Sequence, residues 1–398
     1  MNGRMRKLNK TELSEIFKHF LRSEKAGGLI LIICTAISII MANSTASEGY
    51  LQFWQRNFNL HIGFIQLNFT LEHWINEALM TVFFLMIGLE IERELYVGEL
   101  KSFDHALLPI LAAVGGMLAP ALIHFAFNHG TPTQPGMGIP MATDIAFSLG
   151  LLSLLGSKCP PALKIFLTAL AIIDDLGAVI IIAIFYTQEF SIVYLSIALG
   201  IFMIMILLNR LNVFILWIYM LLGVFMWYFM LKSGVHATVS GVLLAFAIPF
   251  RRSWDNHPSH RLQKSLHLPV NLLIIPLFAM ANTGIKLLPG WREALYSSNS
   301  LGIILGLFLG KPIGVFCIIF FAARLKWCKL PASISWKLLF GTGMLAGIGY
   351  TMSIFISNLA FGEFGTFAEE SKIAVVLGSL CSGILGLSTL SIMLRKSG

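Results

Sequence analysis

Two adjacent carboxylates carry the strongest chemical signal in this sequence. Asp174 and Asp175 stand in Ile172-Ile173-Asp174-Asp175-Leu176-Gly177, inside an apolar run of about 25 residues. A charged Asp at the centre of a bilayer-spanning helix costs about 2.5–3.5 kcal/mol on insertion scales, so a bland packing role does not absorb it. Successive helical residues project about 100° apart. The two carboxylates therefore face different neighbours: one can face a cavity and take a cation while the other meets a basic group. Lys311, in Leu309-Gly310-Lys311-Pro312, is the candidate partner, because an unpaired ammonium at mid-segment is also costly. Snorkelling of Lys311 to the interface is the alternative. A phosphate-binding loop is rejected there, since Leu305 stands where the first glycine should be and Pro312 replaces the Ser/Thr that would hold magnesium.

Two segments are interrupted near their middles. One begins Gly136-Met137-Gly138-Ile139-Pro140-Met141-Ala142-Thr143-Asp144, and the other contains Gly341-Thr342-Gly343-Met344-Leu345-Ala346-Gly347-Ile348-Gly349-Tyr350-Thr351. A pair of broken segments is a sequence pointer to a transport site, with close helix packing through small residues as the alternative. Broken helices expose N–H and C=O ends whose partial charges need compensation. Asp144 near N-terminal ends and Lys311 near C-terminal ends would supply it, and the Thr143 hydroxyl suits a hard cation. Glu92 and Arg93 read as an interfacial charge cluster, and Glu77 as a helix-end residue with a partner. Glu90 lies deeper, after Leu85-Met86-Ile87-Gly88-Leu89, as a gate or proton sensor. His236 reads first as a packed structural histidine and second as a pH sensor. Glu90 and His236 are the candidates for a pH gate.

These residues need a membrane to position them. Of 398 residues 57% are hydrophobic and 12% charged, and the mean hydropathy is +0.80; a soluble domain could not cover its surface with so few polar groups. Apolar runs near the roughly 20 residues that cross a bilayer fall at 26–42, 73–92, 106–127, 137–156, 161–185, 190–208, 213–231, 234–250, 268–288, 301–322, 338–360 and 373–394. This predicts an all-α polytopic protein with about twelve spans. It divides into a tail 1–25, a single membrane transport domain 26–394 and a C-terminus 395–398. An even count puts both termini on one side. With that side cytoplasmic, 22 basic residues lie in cytoplasmic tails and loops against five in the opposite loops, which fixes orientation by the positive-inside rule. The net charge of +8 follows this punctuation and forms no basic patch interleaved with aromatics, so no nucleic-acid partner is expected. No cleavable signal peptide is read in the first 25 residues. The five cysteines show no CxxC spacing and read as unpaired thiols.

Two stretches outside the spans stand out. Glu12–Lys25 has a helical apolar stripe on a charged segment, suited to lying on the cytoplasmic surface or equally to a solvated extension. The 43–72 loop alternates apolar and polar residues on either side of Gly63 and predicts a β-hairpin. An isolated hairpin is marginal in water, so pairing with another subunit is expected. Asn68-Phe69-Thr70 matches a glycosylation sequon, which carries little weight if the host is bacterial.

Several runs resemble motifs of the NhaA family of sodium/proton antiporters. They are Phe83-Phe84-Leu85-Met86-Ile87-Gly88-Leu89-Glu90, Ala142-Thr143-Asp144-Ile145-Ala146-Phe147, Ala171 to Gly177, Pro276-Leu277-Phe278-Ala279-Met280-Ala281-Asn282, Gly310-Lys311-Pro312 and Gly347 to Ser353. The resemblance runs in order along nearly the whole chain. It implies twelve helices with an inverted repeat, segments three to five against ten to twelve, and broken segments four and eleven crossing. It implies Asp175 as the principal cation and proton carboxylate, and Asp174 as a second proton-binding carboxylate that can pair with Lys311. Asp144 and Lys311 would balance helix ends. It further implies a secondary active transporter of the bacterial inner membrane rather than an enzyme, with no cofactor. Na+ or Li+ would leave in exchange for more H+ entering, serving pH homeostasis, and the protein would be a homodimer joined through the 43–72 hairpin. Two departures stand out: Glu77 where the family often has Asp, and Gln263-Lys264 where strongly pH-regulated members carry an acid and a histidine. His267 is retained and is a further candidate for the pH gate, but the departure at Gln263-Lys264 makes the pH response the least transferable property.

Two other classes fit less well. An intramembrane aspartyl protease needs two Asp residues sharing a proton across separate helices, but no GxGD motif surrounds Asp144 or Asp174, and Lys311 would be purposeless. A passive channel would be expected to show rings of carbonyls or carboxylates.

Overall fold

A chain this apolar satisfies its backbone within helices, because a bilayer offers no other hydrogen-bond partners. The computed structural model describes residues 24–62, 65–187, 190–251, 257–287, 289–331, 333–362 and 365–396. The surface-helix expectation for Glu12–Lys25 falls almost wholly outside them. The α-helices of eight residues or more are α1 (Glu24–Ala42), α2 (Ser47–Trp54), α3 (Leu71–Tyr96), α4 (Phe103–Asn128), α5 (Ile145–Leu152), α6 (Pro161–Phe185), α7 (Ile192–Arg210), α8 (Leu216–Lys232), α9 (Thr238–Ala247), α10 (Pro258–Asn282), α11 (Ser298–Arg324), α12 (Trp336–Ala346), α13 (Tyr350–Phe361) and α14 (Gly365–Lys396).

Among the described residues eight helical spans are long and apolar enough to cross a membrane, or ten if each of two bent pairs counts as one. The bent pairs are α1 with α2, at 119°, and α12 with α13, at 47°. The expected segments 213–231 and 234–250 appear as the shorter apolar helices α8 and α9. The expected span 268–288 is displaced: α10 starts at Pro258 and stops at Asn282. The His257 ring accepts a hydrogen bond from the His260 N–H at 3.1 Å and Pro258 occupies the first turn, so the helix starts in polar sequence that hydropathy alone passes over.

The expected hairpin is present. Strands β1 (Asn57–Ile62) and β2 (Ile65–Thr70) pair antiparallel, with Asn57 opposite Thr70 and Leu60 opposite Leu67. Trp74 Nε1 donates to the Phe58 carbonyl at 2.8 Å, tying the hairpin to the start of α3.

Three features aim the polar residues inward. A 3-10 stretch over Gln134–Met141 ends at extended Ala142 and Asp144, after which α5 begins, so the first expected break is real. The second break lies at Gly347–Gly349 between α12 and α13. There a side chain on Gly347 would collide with the Leu307 carbonyl of α11, and one on Gly349 would strike the Ser353 hydroxyl and press on the Ala142 carbonyl of the first break, so glycine at 349 favours the close approach of the two breaks. The third feature is the contact of α4 with α11: Gly115 and Gly314 sit so close that a Cβ on either would strike the other's backbone. A π turn over Gly306–Gly310 immediately precedes Lys311; such turns often mark functional sites.

Candidate functional site

Asp174 and Asp175 lie mid-way along the unbroken helix α6, both buried. The 100° step between them separates their surroundings as the helix geometry requires. Lys311 Nζ donates to Asp174 Oδ2 at 2.5 Å and to Thr143 Oγ1 at 2.5 Å. Both members of the Asp174–Lys311 ion pair are fully buried. The Thr143 hydroxyl lies 2.7 Å from Asp174 Oδ2 and 2.8 Å from the Ala346 carbonyl. It has one proton to share between them. Lys311 therefore reaches the C-terminal end of α12 only through Thr143; its direct partner is the carboxylate, not the helix end.

Asp144 lies where the two breaks meet. Its Oδ1 accepts from the Phe147 N–H at 2.9 Å, capping α5. Its Oδ2 accepts from the Thr351 N–H at 3.1 Å and the Thr351 hydroxyl at 2.7 Å, at the start of α13. One carboxylate thus serves two helix N-termini, where negative charge is favoured. The Asp144 N–H donates to the Ile348 carbonyl at 2.6 Å, so the two breaks are stitched to each other.

Asp175 faces a cavity of 290 Å³. Thr143, Asp144 and Thr351 also line it, and it extends along α3, α6 and α10 to Glu90, Arg93, Thr168 and His267. Among the described residues, Asp175 Oδ1 and Asp174 Oδ1 are buried without a hydrogen-bond partner. A buried carboxylate oxygen without a donor is costly, and one beside a polar cavity can accept a proton or a hard cation, for which oxygen ligands are suited. The geometry separates the two carboxylates: Asp174 is paired with a lysine, and Asp175 is turned to the cavity.

The remaining candidates divide. Glu90 and His267 line the same cavity as Asp175, and His267 Nε2 lies 3.3 Å from Asn271 Nδ2. His236 does not line it; its Nδ1 lies 3.4 Å from Glu77 Oε1, and its ring packs edge-on against Phe355. Arg93 pairs with Glu94 at 3.0 Å, but Glu92 departs from the interfacial reading: it is buried and accepts from the Ser259 hydroxyl at 2.8 Å. The early start of α10 covers it. Sequence reading missed Thr351 as a partner of Asp144, although it follows the glycine break by two residues. A hydroxyl at the first turn after a break is the signal that would have found it.

Comparison with known proteins decides the family. The model of the family described as Na+/H+ antiporter 1 matches residues 18–390. The chain belongs to that family. A Na(+)/H(+) antiporter NhaA of Dechloromonas aromatica is 53% identical over 384 residues, covering 96% of this chain and 97% of the relative. One of Cytophaga hutchinsonii is 51% identical, covering 97% of each. One of Escherichia coli is 47% identical, covering 95% of this chain and 98% of the relative. Membership makes this a multi-pass membrane transporter whose substrates are Na+ and H+, and it matches the resemblance carried by the motifs.

Proposed function

We propose that the chain is an electrogenic Na+(Li+)/H+ antiporter of the bacterial inner membrane, in which sodium and protons compete for Asp175 by alternating access. The observation that carries this is the split environment of the adjacent pair: Asp174 bound to Lys311, Asp175 facing the cavity. A cation and a proton cannot occupy the same carboxylate oxygen together, so each displaces the other and exchange is obligatory. Asp174 and Lys311 form a second protonatable unit. When Asp174 takes a proton the ion pair dissolves, and Lys311 can then titrate. Two protons entering per sodium leaving would make each cycle carry net charge.

The crossed breaks supply the moving part. Asp144, Thr143, Ala346 and Ile348 join two half-helices at one point, and a rearrangement there would turn the Asp175 face from one side of the membrane to the other. The charge asymmetry of the loops supports cytoplasmic termini, with the Glu90, Arg93 and His267 end of the cavity facing the cytoplasm. The segment positions support twelve spans with an inverted repeat of segments three to five against ten to twelve. The hairpin, whose outer edges pair with no other strand among the described residues, supports a homodimer joined there. Glu90 and His267 are the residues best placed to gate the cavity by pH.

The test is sodium-induced proton movement in proteoliposomes. The parent should release or take up protons on a sodium pulse, and Asp175→Asn should not, while inserting normally. Exchange by a correctly inserted Asp175→Asn protein would overturn the assignment.

A further inference from the structure

A second cavity of 560 Å³ shares no lining residue with the first. Helix α6 separates them. Thr168 and Asp175 face the ion cavity, whereas Ile165, Phe166 and Ala169 face the second. Its other walls are Leu108 and Pro109 of α4 and the Lys326–Lys329 turn after α11. All of these lie at the end that the basic loops mark as cytoplasmic.

The turn is held in one shape. The Trp327 N–H donates to the Ala322 carbonyl at 2.9 Å and the Lys326 N–H to the Ala323 carbonyl at 3.1 Å, the paired bonds of a Schellman helix end. Lys326 fills its left-handed position, with φ 61°, where glycine is the ordinary and less strained choice. The turn carries Lys326, Trp327 and Lys329 outward, all exposed, with Trp327 at 64%. Neither the chain from residue 145 to 173 nor that from 312 to 362 contains a single Asp or Glu. Two lysines therefore stand over an apolar recess whose α6 and turn walls carry no compensating carboxylate.

We propose that this recess binds the headgroup of one anionic glycerophospholipid. The phosphodiester would sit between Lys326 and Lys329, its acyl chains along the exposed apolar flank at Ile165 and Phe321, and Trp327 would lie at the headgroup level. Basic pockets between spanning helices on the cytoplasmic side suit such lipids, and tryptophan favours that depth. A zwitterionic lipid gains less, because its own ammonium opposes the two lysines. Free phosphate gains nothing from the apolar walls.

The experiment is native mass spectrometry of the purified full-length protein titrated with phosphatidylglycerol, phosphatidylethanolamine or inorganic phosphate. The expected result is one tightly retained phosphatidylglycerol per protomer, not displaced by phosphate. Lys326→Gln combined with Lys329→Gln should weaken that retention roughly twenty- to thirtyfold, and the corresponding double Arg variant should keep it. Sodium/proton exchange should persist in the Gln variant, since neither lysine lines the ion cavity, and it reports that the variant is folded. Equal retention by the folded Gln variant would overturn the proposal. So would equal retention of phosphatidylethanolamine, or displacement by phosphate, in the parent; these arms need no variant.

Discussion

Lys311 Nζ lies 2.5 Å from Asp174 Oδ2 while Asp175, the next residue, lines the cavity. The ammonium thus sits on the carboxylate that does not line the cavity. This asymmetry organises the site, and it makes the two aspartates unequal under mutation.

Asp174→Asn should impair exchange less completely than Asp175→Asn. The amide still accepts a hydrogen bond from Lys311 but removes one titrating group. Residual sodium-driven proton flux in the first variant and none in the second is the expected pattern. The reverse order would reassign the ion-facing carboxylate.

Lys311→Ala leaves Asp174 buried beside Thr143 with no cation. Breaking one partner out of a buried pair costs about 3–5 kcal/mol, so the thermal unfolding midpoint in detergent should fall clearly. Adding Asp174→Asn should recover much of that loss, because the orphaned charge is removed. A double variant no more stable than Lys311→Ala would show that packing, not charge, dominates the loss.

Asp144 caps two helices at the crossing. Asp144→Ala removes acceptors for the Phe147 and Thr351 N–H groups, at roughly 1 kcal/mol per cap, and it should lower thermal stability and slow exchange together. Asp144→Asn keeps one acceptor oxygen and should fall between Asp144→Ala and the parent. Unchanged stability in Asp144→Ala would remove the capping role.

Topology is testable by thiol labelling. Gly49→Cys, which meets no neighbouring atom, should react with an impermeant reagent from outside intact cells, above the parent's labelling. Lys264→Cys, at an exposed position on α10, should react only in inverted vesicles. The opposite pattern would invert the membrane orientation.

The core of the site was legible because charge inside apolar sequence is costly and therefore conspicuous: Asp174, Asp175, Asp144 and Lys311 all announce themselves that way. The breaks were legible from glycine and proline. What was not legible depends on tertiary packing. The π turn before Lys311 leaves no residue signature. Glu92 looks interfacial until α10 is seen to begin at Pro258 and cover it. Thr351 is one hydroxyl among many until the crossing brings it to Asp144. The Lys326–Lys329 recess is invisible in the sequence, because α4, α6 and the turn that frame it are far apart along the chain.

The central claim is that sodium and protons share Asp175, and the apparent sodium KM across about pH 6 to 9 in proteoliposomes tests it most directly. Below the site's apparent midpoint, each unit of acidification should raise KM by up to about tenfold for one competing proton, and more steeply for two. Alkaline activation then follows from competition alone, despite Gln263 and Lys264, with no separate sensor required. A KM that stays flat while only the maximal rate changes would contradict the account and move the pH response to a separate gate, with Glu90 and His267 the first residues to examine.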